Sequence, residues 1–225
     1  TAKHYDVIVV GAGNAGLCAA LSATEHGSHV LVLEKAPQHF RGGNSYFTGG
    51  AFRFPYTGID DIQKIIPDLS QQEIAQIEMG QYTEDDFYND LMKVTEGLAD
   101  AELAQVLVTK ANPTINWMAS NGIPWALLYG RQAFKIGDKY RFWGGLVLES
   151  NGGGKGLIDR MFEIAQQRGI DVLYESQATK LLMSESGHMN GVTIRSPEGF
   201  RNIGCDAVVL ASGGFEANPE MRARY

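Results

Sequence analysis

Cysteine is scarce: the 225-residue chain has two, Cys18 and Cys205. That is too few for a disulfide framework, and neither has a metal-ligand neighbour at close spacing. No metal site is expected, and a reducing, cytoplasmic setting fits best. Cys18 falls within an expected first helix, where a small buried hydrophobe is the ordinary role. Cys205 and His188 read as ordinary core or surface residues. Basic residues are also short, with 19 Lys and Arg against 26 Asp and Glu, a formal net charge of −7. A nucleic-acid partner would favour a basic stripe, so none is expected. No apolar run reaches the roughly 18 residues that a membrane span needs, so no transmembrane segment is expected. Thr1 leads through a short polar stretch into a strand, without the pattern of a signal peptide. The missing initiator Met reads as a trimmed start. Internal repeats and low-complexity tracts are absent as well.

Glycine, by contrast, is abundant. The chain has 27, or 12% of its residues, against about 7% in ordinary proteins. They cluster at 11–16, 42–50, 144–156 and 213–214, where bare backbone could approach a ligand. The rest of the composition is that of a globular domain, either one large domain or one with a small lobe.

Residues 6–10 form a continuous β-branched run ending in glycine, the pattern of a buried strand. A helical pattern follows over 14–26, stopped by Gly27, and a second buried strand over 29–33. Strand, helix and strand at this spacing imply a parallel βαβ unit with a right-handed crossover. Residues 36–58 are aperiodic but carry Phe40, Tyr46, Phe47, Phe52, Phe54 and Tyr56, which favours an ordered, packed segment. A helical subregion is expected over about 60–122. Within it, Thr83 and Asp86 form a capping-box-like start. A further helix runs from Asp100 to about Lys110, and Pro113 breaks it or begins another. Short strands are expected within 123–150, and a helix follows Gly152-Gly153-Gly154 as far as Gly169. Strands at 171–175, 178–183, 191–196 and 200–203 come next, with turns at 186–187, 190–191 and 198–199. The last three make a meander before a final apolar strand at 206–210. The fold class is therefore α/β: a Rossmann-like parallel sheet with an inserted three-stranded β-meander and a helical segment.

Gly11-Ala12-Gly13-Asn14-Ala15-Gly16 is a GxGxxG between strand and helix. Its first glycine allows the tight turn, its second admits a pyrophosphate, and its third lets helix and strand pack closely. The helix N-terminus attracts the anion. Glu34 closes the second strand 18 residues after Gly16, where a carboxylate would accept hydrogen bonds from an adenosine ribose. It would repel a 2′-phosphate, so NADP is a poor ligand here. The fingerprint serves NAD and FAD alike. Two later segments favour FAD. Arg41-Gly42-Gly43-Asn44-Ser45 through Gly49-Gly50 can offer N–H groups and a hydroxyl to pyrophosphate, then run along a flavin. The strand 208–210 ends in Ala211-Ser212-Gly213-Gly214, which brings another backbone close to the same cofactor.

With these motifs the chain resembles the FAD-dependent fumarate reductase and succinate dehydrogenase flavoproteins over nearly its whole length. The resemblance is carried by residues 9–16, Leu33-Glu34-Lys35, Gly42-Gly43-Asn44-Ser45, Gly154-Lys155-Gly156-Leu157 and Leu210-Ala211-Ser212-Gly213-Gly214-Phe215. Residues 34–37, 41–45 and 48–54 look most like the tricarballylate dehydrogenase branch. The resemblance implies that Gly11, Gly13 and Gly16 face the pyrophosphate, with Glu34 and Lys35 at the adenosine ribose. It places Gly42, Gly43, Asn44 and Ser45 at phosphate and ribityl, and Gly49-Gly50 beside the isoalloxazine. Ala178 would meet adenine through its backbone, and Ala211, Ser212 and Gly213 would lie near the dinucleotide.

Members with covalent flavin carry a histidine in the loop before the Gly-Gly pair; residues 41–48 have none, so non-covalent FAD is implied. The family's capping domain is expected to begin where this chain ends, and its proton-transferring arginine and most carboxylate ligands lie in that later portion. No catalytic residue is therefore assigned. Arg53 reads as a structural ion pair before a substrate ligand. The implied activity is dehydrogenation or reduction of a C–C bond next to carboxylates, with a small di- or tricarboxylate as partner and the electron acceptor unassigned. Tricarballylate going to cis-aconitate is the nearest match; fumarate, succinate and ketosteroid chemistry are neighbours. A non-catalytic FAD-binding module and an NAD-dependent Rossmann dehydrogenase are the alternatives.

Overall fold

The computed structural model describes residues Lys3–Tyr225, which fold as two compact units. One comprises the chain up to Phe47 together with Ile158–Tyr225, and the other is Thr48–Leu157.

The first unit is built on a six-stranded sheet. In spatial order its strands are Gln177–Met183, Met189–Ser196, Gly199–Leu210, His4–Val10, Val30–Leu33 and Asp171–Leu173. The last four run parallel to one another, and the first three are antiparallel. Val30–Leu33 is buried at every position, as expected of a parallel strand covered on both faces. The helix Asn14–Glu25 turns Gly16, Leu17, Ala20 and Leu21 inward, a stripe at helical spacing. It ends at His26, with Gly27 in the left-handed region at φ 85°, where glycine costs least. Register then matters most: Val10 lies beside both Leu33 and Leu210, and Leu33 lies beside Leu173. Gly11, Glu34 and Ala211 therefore leave one edge of the sheet together. The carboxyl edge of an open α/β sheet is where ligands bind.

Two expectations here need correction. The strands expected at 200–203 and 206–210 are one strand, Gly199–Leu210. Its first part pairs antiparallel with Met189–Ser196 and its second part pairs parallel with His4–Val10, with Gly204 in both registers. The meander thus runs directly into the last parallel strand, because buried Ile203 and Cys205 keep the alternation going through the join. Asn190-Gly191 is not a turn. Gly191 sits inside Met189–Ser196 opposite Gly204, and a Cβ there would lie 2.2 Å from the Ile203 carbonyl oxygen. The glycine permits close backbone approach.

The second unit holds two small sheets. One orders Ala51–Phe52, Leu148–Ser150 and Trp125–Leu127; the other orders Ile77–Met79, Lys139–Phe142 and Ala133–Ile136. The helices Ile59–Ile65, Gln71–Gln76, Glu84–Val94 and Ala101–Ser120 make up the expected helical subregion, with the strand Ile77–Met79 as an unforeseen interruption. Thr83 and Asp86 do form a capping box. Pro113 does not break the chain: Ala101–Ser120 is a single helix with the proline inside it. Ala104, Val108, Ile115 and Met118 are buried along one face, and that burial on both sides of Pro113 outweighs the hydrogen bond it removes. No helix among the described residues is long and apolar enough to cross a membrane.

At the opposite end of the parallel strands, Asp171 gathers several donors. It accepts the Tyr5 hydroxyl at 2.9 Å, pairs with Lys3, and lies 3.7 Å from the His29 imidazole. The Lys3 ammonium, against the opposing effect of partial burial, holds the Asp171 carboxyl below its usual range. A depressed carboxylate contributes stability above its unfolded pKa of about 4 and loses it as pH falls through the folded value. Asp171→Asn is expected to lower Tm at pH 7 and to flatten the decline of stability below about pH 4. Acid melting curves that run parallel to wild type would contradict this.

Candidate functional site

The turn after the first strand is shaped by three glycines. Gly11 has φ 104°, and a Cβ there would lie 2.4 Å from the Ala211 carbonyl oxygen. A Cβ on Gly16 would lie 1.9 Å from the Gly11 carbonyl oxygen, so helix and turn touch backbone to backbone. Gly13 is the N-cap of the first helix and carries no side chain to occupy its amides. The helix has no acidic residue in its first turn, which leaves its positive end for an anion. The Asn14 amide donates to Ser45 Oγ at 3.1 Å, and the side chain of Ala15 is exposed.

Glu34 is only 7% exposed. One carboxylate oxygen accepts the Ala12 amide at 3.2 Å and the other accepts the Ala36 amide at 2.9 Å. The acid expected to face the glycine turn is therefore bonded to that turn. Each oxygen has lone-pair capacity for a second donor, such as a ribose hydroxyl. Its own backbone is tied on both sides, donating to Leu173 O and accepting from Ser176 N, each at 2.9 Å. Ala178 follows two residues later, paired with Ile194 in the edge hairpin.

The loop 41–45 returns to the same turn. Gly42 has φ 99° and lies against Ile158, where a Cβ would be 2.7 Å from the isoleucine side chain. Gly43 begins the short helix Gly43–Tyr46. A Cβ on Gly13 would sit 3.5 Å from Ser45 Oγ and 3.6 Å from the Gly42 carbonyl oxygen, so any larger residue at 13 would narrow that gap. The side chain of Arg41 is committed elsewhere. It contacts Asp159 and Tyr174 at 3.4 Å and lies 4.3 Å over the Phe162 ring. That leaves its backbone as the part available to a ligand. Asn44 is held by Glu216, at 3.0 Å, a partner too remote in sequence to foresee.

Ala211 N donates to Val10 O at 2.8 Å, which seats the small-residue segment beside the glycine turn. Ser212, Gly213 and Gly214 continue with Lys35, Phe215 and Met221 along an open groove of roughly 700 Å³. Bare amides at a helix start, a buried acid on the neighbouring strand and a groove beside them fit the adenosine diphosphate half of a dinucleotide.

Gly49 and Gly50 belong to the second unit. Gly50 has φ 72°, and a Cβ there would lie 2.5 Å from Ser150 Oγ and 2.6 Å from the Gly153 carbonyl carbon. Its carbonyl accepts Ser150 N at 2.8 Å. Gly49 lies under the side chain of Arg131, a residue that sequence reasoning passed over. Arg53 makes the expected structural pair: its Nη1 donates to Tyr82 Oη at 2.8 Å and to Asp90 at 3.0 Å. Burial first, then the hydrogen bond to Asp90, pushes the Tyr82 phenol up to about 12. Cys18 is half-buried, and burial pushes its thiol up to about 12, so it stays a thiol near neutrality. Among the described residues no cluster of His, Cys, Asp and Glu could hold a metal.

Comparison with known proteins bears on the fold and the family. The fumarate reductase (cytochrome) of Shewanella frigidimarina is 28% identical over 222 residues, which cover 97% of this chain and 35% of that protein. The urocanate reductase of Eggerthella lenta is 30% identical, over 98% of this chain and 33% of that protein. The chain thus spans about a third of the length of these relatives. Among solved structures, the open conformation of a flavocytochrome c3 fumarate reductase superposes with a TM-score of 0.74 at 28% identity, covering 99% of this chain and 36% of that one. Residues 6–225 match the family model described as FAD binding domain, and the chain belongs to that family.

Proposed function

We propose that this chain holds FAD for an oxidoreductase that moves hydride to or from a C–C bond next to a carboxylate. The observation that carries the reading is the buried Glu34 carboxylate, bonded to the amide of Ala12 inside the glycine turn. The names of the relatives, fumarate reductase and urocanate reductase, support an unsaturated carboxylate as the substrate class. The resemblance of residues 34–37, 41–45 and 48–54 to tricarballylate dehydrogenase supports tricarballylate and cis-aconitate as the finer assignment. FAD, when bound, supplies the hydride acceptor or donor.

The chain's own residues bind and orient. The glycine turn from Gly11 to Gly16 takes the diphosphate, and Glu34 with Lys35 takes the ribose. Arg41 through Ser45 take phosphate and ribityl, and Gly49 and Gly50 flank the isoalloxazine. Ala178 meets adenine, while Ala211, Ser212 and Gly213 back the dinucleotide. The lack of histidine at 41–48 supports non-covalent attachment. The two unpaired thiols support a reducing, cytoplasmic compartment.

The test begins with an absorbance spectrum of the purified protein after FAD addition and desalting, where a retained visible flavin band is expected. Flavin without turnover of any di- or tricarboxylate would favour a non-catalytic FAD-binding module, and no flavin at all would contradict the proposal. Acid precipitation is expected to leave the flavin in the supernatant, whereas yellow pellets would show a covalent link. Glu34→Ala removes charge-assisted hydrogen bonds worth about 1.5–3 kcal/mol, or roughly 10- to 150-fold in FAD affinity. An unchanged Kd by fluorescence titration would show that Glu34 does not reach the ribose.

A further inference from the structure

We propose that Arg131, seated over Gly49, binds a carboxylate of the substrate; the inference rests on the carboxylate reading above. Arg131 is exposed and lies in the short helix Tyr129–Gln132. Its Nη1 is 3.3 Å, and its Cζ 3.9 Å, from where a Cβ on residue 49 would stand. The guanidinium is thus laid across the open face of a glycine, and a larger residue at 49 would press it away.

The other two arginines of this unit are neutralised. Arg53 pairs with Asp90 at 3.0 Å and Arg141 with Glu78 at 2.7 Å. Arg131 has no hydrogen bond, ion pair or ring contact from its side chain among the described residues. In a chain with 26 acidic and 19 basic groups, its charge is left for something outside the unit.

Both sides of the pair are held in place. Gln132 N donates to Leu128 O at 3.1 Å, and Trp143 N to Gln132 O at 3.3 Å. The Tyr129 ring packs against Tyr140 at 4.9 Å and Phe142 at 5.2 Å. Opposite, Gly50 N donates to Thr48 Oγ1 at 3.2 Å, and Ser150 N to Gly50 O at 2.8 Å. A planar fork of donors on a fixed base suits bidentate carboxylate recognition, where a point-charge ammonium does less well. The place is also apt for the chemistry, since Gly49 is one of the two residues assigned to the isoalloxazine.

The experiment titrates FAD-loaded protein with fumarate and with tricarballylate, following the perturbation of the flavin absorbance. Arg131→Gln is expected to weaken carboxylate binding about 10- to 100-fold, with Arg131→Lys between it and wild type. FAD affinity and Tm should stay at wild-type values, because the side chain has no protein partner to lose. Carboxylate binding by Arg131→Gln equal to wild type would overturn the assignment. So would a loss of FAD affinity or Tm in that variant, which would make Arg131 a cofactor or folding residue. Wild-type protein that binds FAD but neither carboxylate would bring down the carboxylate reading itself, and this inference with it.

Discussion

A carboxylate removed from water must be given hydrogen bonds, or it costs several kcal/mol. Glu34 meets that demand with two backbone amides, from Ala12 in the glycine turn and Ala36 just beyond its own strand. Its main chain is bonded in turn to Leu173 and Ser176. One residue thereby fastens the turn, the end of the second strand and the connection after Asp171–Leu173. Without the acid, the buried Ala12 amide and the half-buried Ala36 amide would lack partners, and the turn would lose the contact that fixes where its N–H groups point.

That arrangement depends on strand register. The pairing of Val10 with Leu33 and Leu210 brings three chain segments off one sheet edge. The absence of side chains at Gly11 and Gly16 lets those segments close to backbone contact. Hydrophobic burial sets the register, since Ile8, Leu31, Leu33 and Cys205 share one core cluster and a one-residue slip would turn them outward. The chemistry at the edge is therefore inherited from packing in the middle of the sheet.

Much of this was legible in the sequence, because the signals are local. Buried strands, the GxGxxG turn, the acid closing the second strand, the Thr83 capping box and the Gly27 and Gly169 stops each need only a few neighbouring residues. What was not legible depends on partners far away. Pro113 stays helical because residues on both sides of it are buried. Asn190-Gly191 carries a turn signature, yet its glycine serves contact with Ile203. The continuous strand Gly199–Leu210 changes partners halfway, which no period reveals. In the candidate site, the glycines and Glu34 could be named from spacing, whereas the diversion of Arg41 to Asp159 and the pairing of Asn44 with Glu216 could not. Arg131 lies 82 residues from the Gly49 it covers, and a lone arginine after a glycine gives no signal in sequence.

The central claim is that the Glu34-braced turn holds the adenosine diphosphate half of FAD. A crystal structure of the FAD complex tests it most directly. The account predicts ribose hydroxyl oxygens within about 2.6–3.2 Å of the Glu34 carboxylate and diphosphate oxygens against the glycine turn, on the Gly13 and Ala15 amides. A dinucleotide bound elsewhere, or a Glu34 carboxylate bonded only to protein in the complex, would contradict it.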